Sequence, residues 1–193
     1  MTDILTPDLI LLAYGHGYFP MADEEDGDIY WHSPDPRAII PLDGVLISRS
    51  LRQTIRKGVY TIRFNTAFEQ VIRLCTNRRE TWISEEIIDV YTALHQLGHV
   101  HSVEAWHNDT LAGGLYGVAI GGAFFGESMF SVMDNASKTA FVALTERLRE
   151  RDFTLLDSQY INPHMQSLGA IEIPRKQYMR LLTKAMALDR SFL

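Results

Sequence analysis

The chain is poor in the features that would assign it at once. It has one cysteine, Cys75, among 193 residues, so no disulfide can form within it, which fits a reducing compartment. Its opening, MTDILTPDLILLAYGHGYFPMADEE, has neither a basic leader nor an apolar run long enough to be a secretory signal or a membrane span. A soluble, cytoplasmic protein that does not engage a membrane is expected. Metal-ligand spacing is also missing. His95, His99 and His101 form the closest set, but only His95 and His99 share a helix face, and there is no HExxH and no paired cysteine. The chain lacks a Walker loop, a GxSxG elbow and a strand-linked GxGxxG, and it shows no repeat and no low-complexity segment. Positive charge is in deficit, with a net charge of −6, which taken alone argues against nucleic acid as a partner.

The charge is unevenly spread. Residues 1–48 carry nine acids and a single base, Arg37, whereas residues 49–79 carry eight bases (Arg49, Arg52, Arg56, Lys57, Arg63, Arg73, Arg78 and Arg79) and a single acid, Glu69. Such a block is either an ordinary solvated surface or a face for a polyanion.

The hydrophobic fraction of 46% is enough for a real core. Residues 6–20 predict a short helix ending near Gly15–Gly17, capped by Thr6 or Asp8. Residues 47–58 predict a second helix, closed by Gly58, with Arg49, Arg52 and Arg56 on one face. YTIRFN alternates as a strand. Helices follow over 66–79 and over 84–99, the latter capped by Ser84. The pattern then changes to period two. HSVEAWHND, TLAGGLYGVAIGG and AFFGESMFS, joined at Asn108-Asp109 and Gly121-Gly122, predict a three-strand antiparallel meander. A helix from NASK onward, capped by Asn135 or Ser137, a strand FTLLDSQYI and a terminal helix starting at Pro174 complete an α+β chain. Its mixed sheet is expected to have about five to seven strands flanked by helices.

Three places could carry chemistry. In LLDSQ, Asp157 and Gln159 are two apart on a strand and share a face. In GGAFFGESMFS, Glu127 stands among glycine, phenylalanine and methionine. A charge there is costly unless paired or used, so Glu127 is either an outward strand residue or the floor of a pocket. Lys138, near the start of a helix, could accompany an anion. Trp31, in a proline-rich loop, is the tryptophan least suited to a core.

Taken in order, WHSPDPRAIIP, ISRSLR, TWIS, LHQLGHVHSVEAW, GGLYGVAIGGAFFGESMFS, NASKTA, LLDSQ and SLGAIEIPR resemble the leucyl/phenylalanyl-tRNA–protein transferase family, from about residue 6 to 182. The resemblance implies a GNAT-like (N-acetyltransferase-like) catalytic domain over 61–193 behind a small N-terminal domain over 1–60. It also implies transfer of Leu or Phe from aminoacyl-tRNA to the N-terminal Arg or Lys of acceptor proteins, marking them for degradation. The implied catalytic pair is Asp157 and Gln159. Glu127 would meet the aminoacyl group, Leu115, Phe141, Leu144 and Leu148 would line its side-chain pocket, and Trp31 and Trp82 would border the site. His32 replaces a tryptophan frequent in the family, Phe141 narrows a pocket usually walled by an aliphatic residue, and both ends are short.

The partners so implied are Leu-tRNA and Phe-tRNA, with Met-tRNA as a further donor, and the chain is expected to act as a monomer without cofactor or metal. Arg49, Arg52, Arg56 and Lys57 are the expected tRNA contacts. Chemically, an activated ester meets an α-amine, so strong base catalysis is unnecessary. Gln159 would orient the amine, and Asp157 would polarise it or take a proton through a water. Two other classes stay open on the residues alone. An acyl-CoA-dependent N-acetyltransferase would need a Q/R-x-x-G-x-G/A loop, which the sequence lacks. A non-catalytic tRNA- or peptide-binding module would not.

Overall fold

The computed structural model describes residues 5–23, 27–77 and 81–193. Asp3, Glu24, Glu25, Asp26, Arg78 and Arg79, which contribute to the acidic and basic stretches, lie outside the described residues. Helix α1 (Pro7–Gly15) begins where the Thr6 hydroxyl accepts the Leu9 N–H. Strands β1 (Phe19–Ala22) and β2 (Ile29–His32) form a small antiparallel ribbon. Strand β3 (Arg37–Ile39) follows, then α2 (Arg49–Arg56), capped by Ser48. After β4 (Thr61–Phe64) come α3 (Phe68–Thr76) and α4 (Glu85–Gln96), the latter capped by Ser84 as the sequence predicts. The meander is β5 (Val100–His107), β6 (Thr110–Ile120) and β7 (Ala123–Ser131). Helix α5 (Ala136–Glu150), strand β8 (Leu155–Gln159), a single turn α6 (Pro163–Ser167), strand β9 (Ile171–Ile173) and α7 (Arg175–Met186) complete the chain.

The seven-stranded sheet runs β4-β5-β6-β7-β8-β3-β9. Every neighbouring pair is antiparallel except β7 and β8. One face packs against α1, α3, α4 and α7 through Tyr14, Val71, Leu94 and Leu182; the other packs against α5 through Ala140, Leu144 and Leu148. The result is a mixed α+β sheet flanked by helices. Strand β3 belongs to this sheet, although it lies before residue 60, where the sequence division places the N-terminal unit.

Local chemistry explains how α5 and α3 start. Asn135 sits in the left-handed region and does not cap α5; its side-chain amide donates to Thr54, and the Ser131 hydroxyl accepts the Ser137 N–H instead. The start of α3 has no side-chain cap of its own. The fully buried Glu104 on β5 takes the N–H groups of Thr66 and Ala67 at 3.0 and 3.2 Å, as well as the hydroxyls of Ser102 and Thr66. A carboxylate at a helix start satisfies both the orphan donors and the helix dipole.

Candidate active site

The site arises from two irregularities in the sheet. Strands β7 and β8 pair in parallel only from Ala123/Leu155 to Phe125/Asp157. Beyond that point β7 keeps its partner β6, β8 keeps β3, and the two strands part. At the same level β7 bulges: Gly126 faces Gly117 and Ser128 faces Tyr116, leaving Glu127 as the extra residue. Glycine at 117 is required, because a Cβ there would collide with the Phe125 carbonyl and the Phe124 ring. Bulges of this kind redirect one side chain out of the regular alternation.

A cavity of about 590 Å³ fills the gap between the parted strands. Leu115, Phe141 and Leu144 supply part of its apolar wall, Glu127 and Asp157 lie among its polar lining, and Asn162, His164 and Met165 form its rim. A volume of this size suits a small organic ligand.

Glu127 is buried and held by three donors. The Tyr14 hydroxyl reaches Oε1 at 2.6 Å, the Gln159 side-chain amide reaches Oε1 at 2.9 Å, and the Tyr91 hydroxyl reaches Oε2 at 3.5 Å. The two tyrosine hydroxyls also meet at 2.6 Å. Burial pushes the Glu127 carboxyl up to about 7, against the downward pull of the Tyr14 and Gln159 hydrogen bonds. Burial, and then the charge of Glu127, push both tyrosines well above their ordinary value, so they remain hydrogen-bond donors. Glu127 is therefore poised to ionise when a cation arrives.

Asp157 has different surroundings. Arg37 Nε and Nη2 grip it at 3.0 and 2.7 Å, the Tyr178 hydroxyl donates at 2.6 Å, and the Gln159 backbone N–H donates at 2.8 Å. Both oxygens are occupied and both partners of the ion pair are buried. The expectation that Asp157 takes a proton through a water does not match this arrangement; its contacts suit it to hold Gln159 in place. Gln159 has φ +65°, unusual for a residue other than glycine. Such backbone costs about 1–3 kcal/mol and persists where the surroundings over-determine it. Here the surroundings are the two hydrogen bonds to Asp157 and Glu127.

The structure thus brings Asp157, Glu127, Leu115, Phe141 and Leu144 to the cavity, and joins Gln159, which does not itself line it, to Glu127 by a hydrogen bond. Leu148 lies one turn further along α5, buried in the core beside that wall and not on the cavity. Trp31 stands on β2, 38% exposed, and Trp82 packs against the opposite core, its carbonyl accepting the Ala22 N–H. Neither lines the cavity. Arg49, Arg52, Arg56 and Lys57 are all exposed on or next to α2, and the three arginines wall a separate hollow of about 280 Å³ with Gln53. Among the described residues, no carboxylate forms an ion pair with any of the four. Sequence reasoning missed Tyr14, Tyr91, Arg37 and Tyr178. Arg37, as the only base in an acidic stretch, carried a signal; the tyrosines read as helix-face core residues. Among the described residues no three His, Cys, Asp or Glu side chains cluster as metal ligands, and no helix is long and apolar enough to cross a membrane.

Residues 39–183 match the family described as leucyl/phenylalanyl-tRNA protein transferase, and residues 3–35 match that family's N-terminal domain. A leucyl/phenylalanyl-tRNA–protein transferase of Chlorobaculum parvum is 57% identical over 92% of this chain and 94% of its own. One from Herpetosiphon aurantiacus is 52% identical over 100% of both chains. Another, from Rubrobacter xylanophilus, is 53% identical over 97% of this chain and 98% of its own. Among solved structures, L-PGS from Bacillus licheniformis aligns at a TM-score of 0.43 and 14% identity, too slight a likeness to assign the fold. The chain belongs to the leucyl/phenylalanyl-tRNA–protein transferase family.

Proposed function

We propose that the cavity between β7 and β8 is where this chain joins a leucyl or phenylalanyl group, carried by tRNA, to the N-terminal Arg or Lys of an acceptor protein. The observation that carries this reading is buried Glu127 on the lining of a largely apolar cavity, with the Gln159 side chain hydrogen-bonded to it. The apolar wall takes the donor side chain. Glu127 takes the donor's α-ammonium group, whose charge draws the carboxyl into its ionised form. Because the Gln159 side chain gives its N–H to Glu127, its carbonyl is turned to accept from the attacking amine. An α-amine with a pKa of about 7.7–8.0 is already neutral in part at pH 7. The enzyme therefore supplies mainly position, an effect of up to about 7–11 kcal/mol. The amine nitrogen forms the new C–N bond, the ester C–O bond breaks, and the proton shed by nitrogen ends on the leaving ribose oxygen. Asp157 with Arg37 and Tyr178 anchors Gln159. Cys75 is buried and has no part in this chemistry.

The parting of the parallel β7 and β8 supports a GNAT-like reading of the sheet. The exposed arginines of α2 fit the tRNA backbone, and a cytoplasmic monomer fits the reaction. The two family matches meet between residues 35 and 39, at β3, which supports a small N-terminal unit ending near there.

The test is single-turnover transfer of labelled leucine to an Arg-starting peptide. Gln159→Ala should lower the rate by about 10²-fold, the scale of a lost positioning or acid–base group. Asp157→Asn should lower it too, while also loosening the fold, because it leaves Arg37 buried without its charge partner. A wild-type rate in Gln159→Ala would remove Gln159 from the chemistry.

A further inference from the structure

Tyr160 lies between two residues of the site, Gln159, which holds Glu127, and Asn162, which borders the cavity. Its hydroxyl meets His32 Nδ1 at 3.0 Å, and its ring stands edge-on to Phe19, centroids 5.7 Å apart. His32 stacks on Phe19 at 5.8 Å. Across the β1–β2 ribbon Phe19 pairs with His32 and Met21 with Tyr30, so Tyr30 emerges on the same face as His32, whereas Trp31 is on the other. Tyr160 and Tyr30 are 45% and 49% exposed. An aromatic ledge therefore runs from the N-terminal ribbon to the residue beside Gln159.

We propose that this ledge binds the cationic side chain of the acceptor's first residue by cation–π contact, an assignment that rests on the transferase reading above. Three features select a cation as the occupant. The neighbouring rings already seat guanidinium groups: Arg37 lies 4.6 Å over Phe19 and over Tyr178, and Arg175 lies 5.5 Å over Tyr18. The ribbon belongs to a stretch whose described residues carry five exposed acids, Asp8, Asp23, Asp28, Asp35 and Asp43, and one base, Arg37, which is buried against Asp157. A surface of that sign attracts a cationic side chain and repels a phosphodiester. Finally, Tyr160 and Gln159 have Cα atoms only about 3.8 Å apart, so an amine held at Gln159 leaves its own long side chain within reach of the ledge.

The test uses the full-length protein, Phe-tRNA as donor, and peptides beginning with Arg or with citrulline, its neutral isostere. In the Tyr30→Ala/Tyr160→Ala double variant, KM for the Arg peptide should rise about fivefold to tenfold, the range of partly desolvated cation–π contacts. KM for Phe-tRNA should stay unchanged. Tyr160→Phe, which keeps the ring, should stay within about twofold of wild type in the same assay. The citrulline peptide should bind weakly to wild type and no more weakly to the double variant. Three results would overturn the assignment: a rise in KM for Phe-tRNA alone, which would make the ledge a platform for a tRNA base; equal losses on both peptides; or no change. Failure of the wild-type protein to transfer to the Arg peptide would be a failure of the transferase reading instead.

Discussion

Glu127 places a titratable carboxyl where burial opposes its charge. Its carboxyl has an ordinary value of 4.5 and stands at about 7 in the folded protein because burial disfavours the charge. Between those values the folded protein holds a proton that the unfolded chain has released. Glu127 therefore favours folding at low pH, and that contribution is lost as the pH rises through about 7. The gap corresponds to roughly 3 kcal/mol at about 1.4 kcal/mol per tenfold change. Glu127→Gln keeps an acceptor for Tyr14 and Gln159 but carries no charge. The variant should be more stable than wild type by about 2–3 kcal/mol at pH 8 in urea denaturation, with the difference vanishing below about pH 4.5. It should also lose about 10²-fold in transfer, having lost the counter-charge to the donor ammonium. Equal stability at pH 8 would contradict the buried carboxyl described above. Phe141 offers a second residue-level check. It lies on the cavity wall, so Phe141→Leu should shift the Phe/Leu ratio of kcat/KM toward the bulkier phenylalanyl donor by about tenfold, since one methylene in an apolar pocket is worth about 1–3 kcal/mol. An unchanged ratio would place the donor side chain elsewhere.

Helix α2 buries only Leu51 fully and presents arginines that form no ion pair with a carboxylate among the described residues, an arrangement suited to the tRNA contact proposed above. The double charge reversal Arg52→Glu/Arg56→Glu should raise KM for aminoacyl-tRNA and flatten its dependence on salt, because phosphate contacts carry the salt slope. Activity on an aminoacyl-adenosine, which lacks the tRNA body, should be nearly unchanged; equal loss on both donors would make the helix structural. At this scale the sequence was most legible where local signals were strong. Ser48, Ser84 and the Asn108 and Gly121 turns carry their own cap and turn chemistry, and α2, α4 and the meander follow them closely. Strands β1, β2, β3 and β9 were not read, because three or four residues give no period and the partners of β3 and β9 are distant in sequence. The site divides in the same way. Asp157 and Gln159 share a face by simple alternation, and the position of Glu127 was visible in its composition. The bulge that turns Glu127 toward Tyr14 and Tyr91 depends on Gly117 in the neighbouring strand. The Arg37 clamp on Asp157 spans 120 residues of sequence. No local pattern encodes either.

For the whole molecule, burial moves two titratable groups on opposite faces of the sheet in opposite directions. Glu127 works on the helix-rich face. On the other, His101 is 4% exposed, meets the Asn65 amide at 2.9 Å and stacks on Phe192 at 4.4 Å. Burial lowers its ordinary value of 6.5 to about 4. Between those values the unfolded chain takes up a proton that the folded protein refuses. The His101 contribution is therefore fully present above about 6.5 and is lost as the pH falls toward 4, the opposite slope to that of Glu127. The two gaps are similar, each of order 3 kcal/mol, so across the window they share their slopes cancel. Stability of the wild type should be nearly level between about pH 4.5 and 6.5 as far as these two groups set it. Glu127→Gln removes one slope and leaves the other, so its stability should fall by up to about 3 kcal/mol on going from pH 6.5 to 4. Urea titrations of both proteins across that range would show it. A level profile in the variant would mean that His101 opens to water, and with it the docking of Phe192 against the sheet.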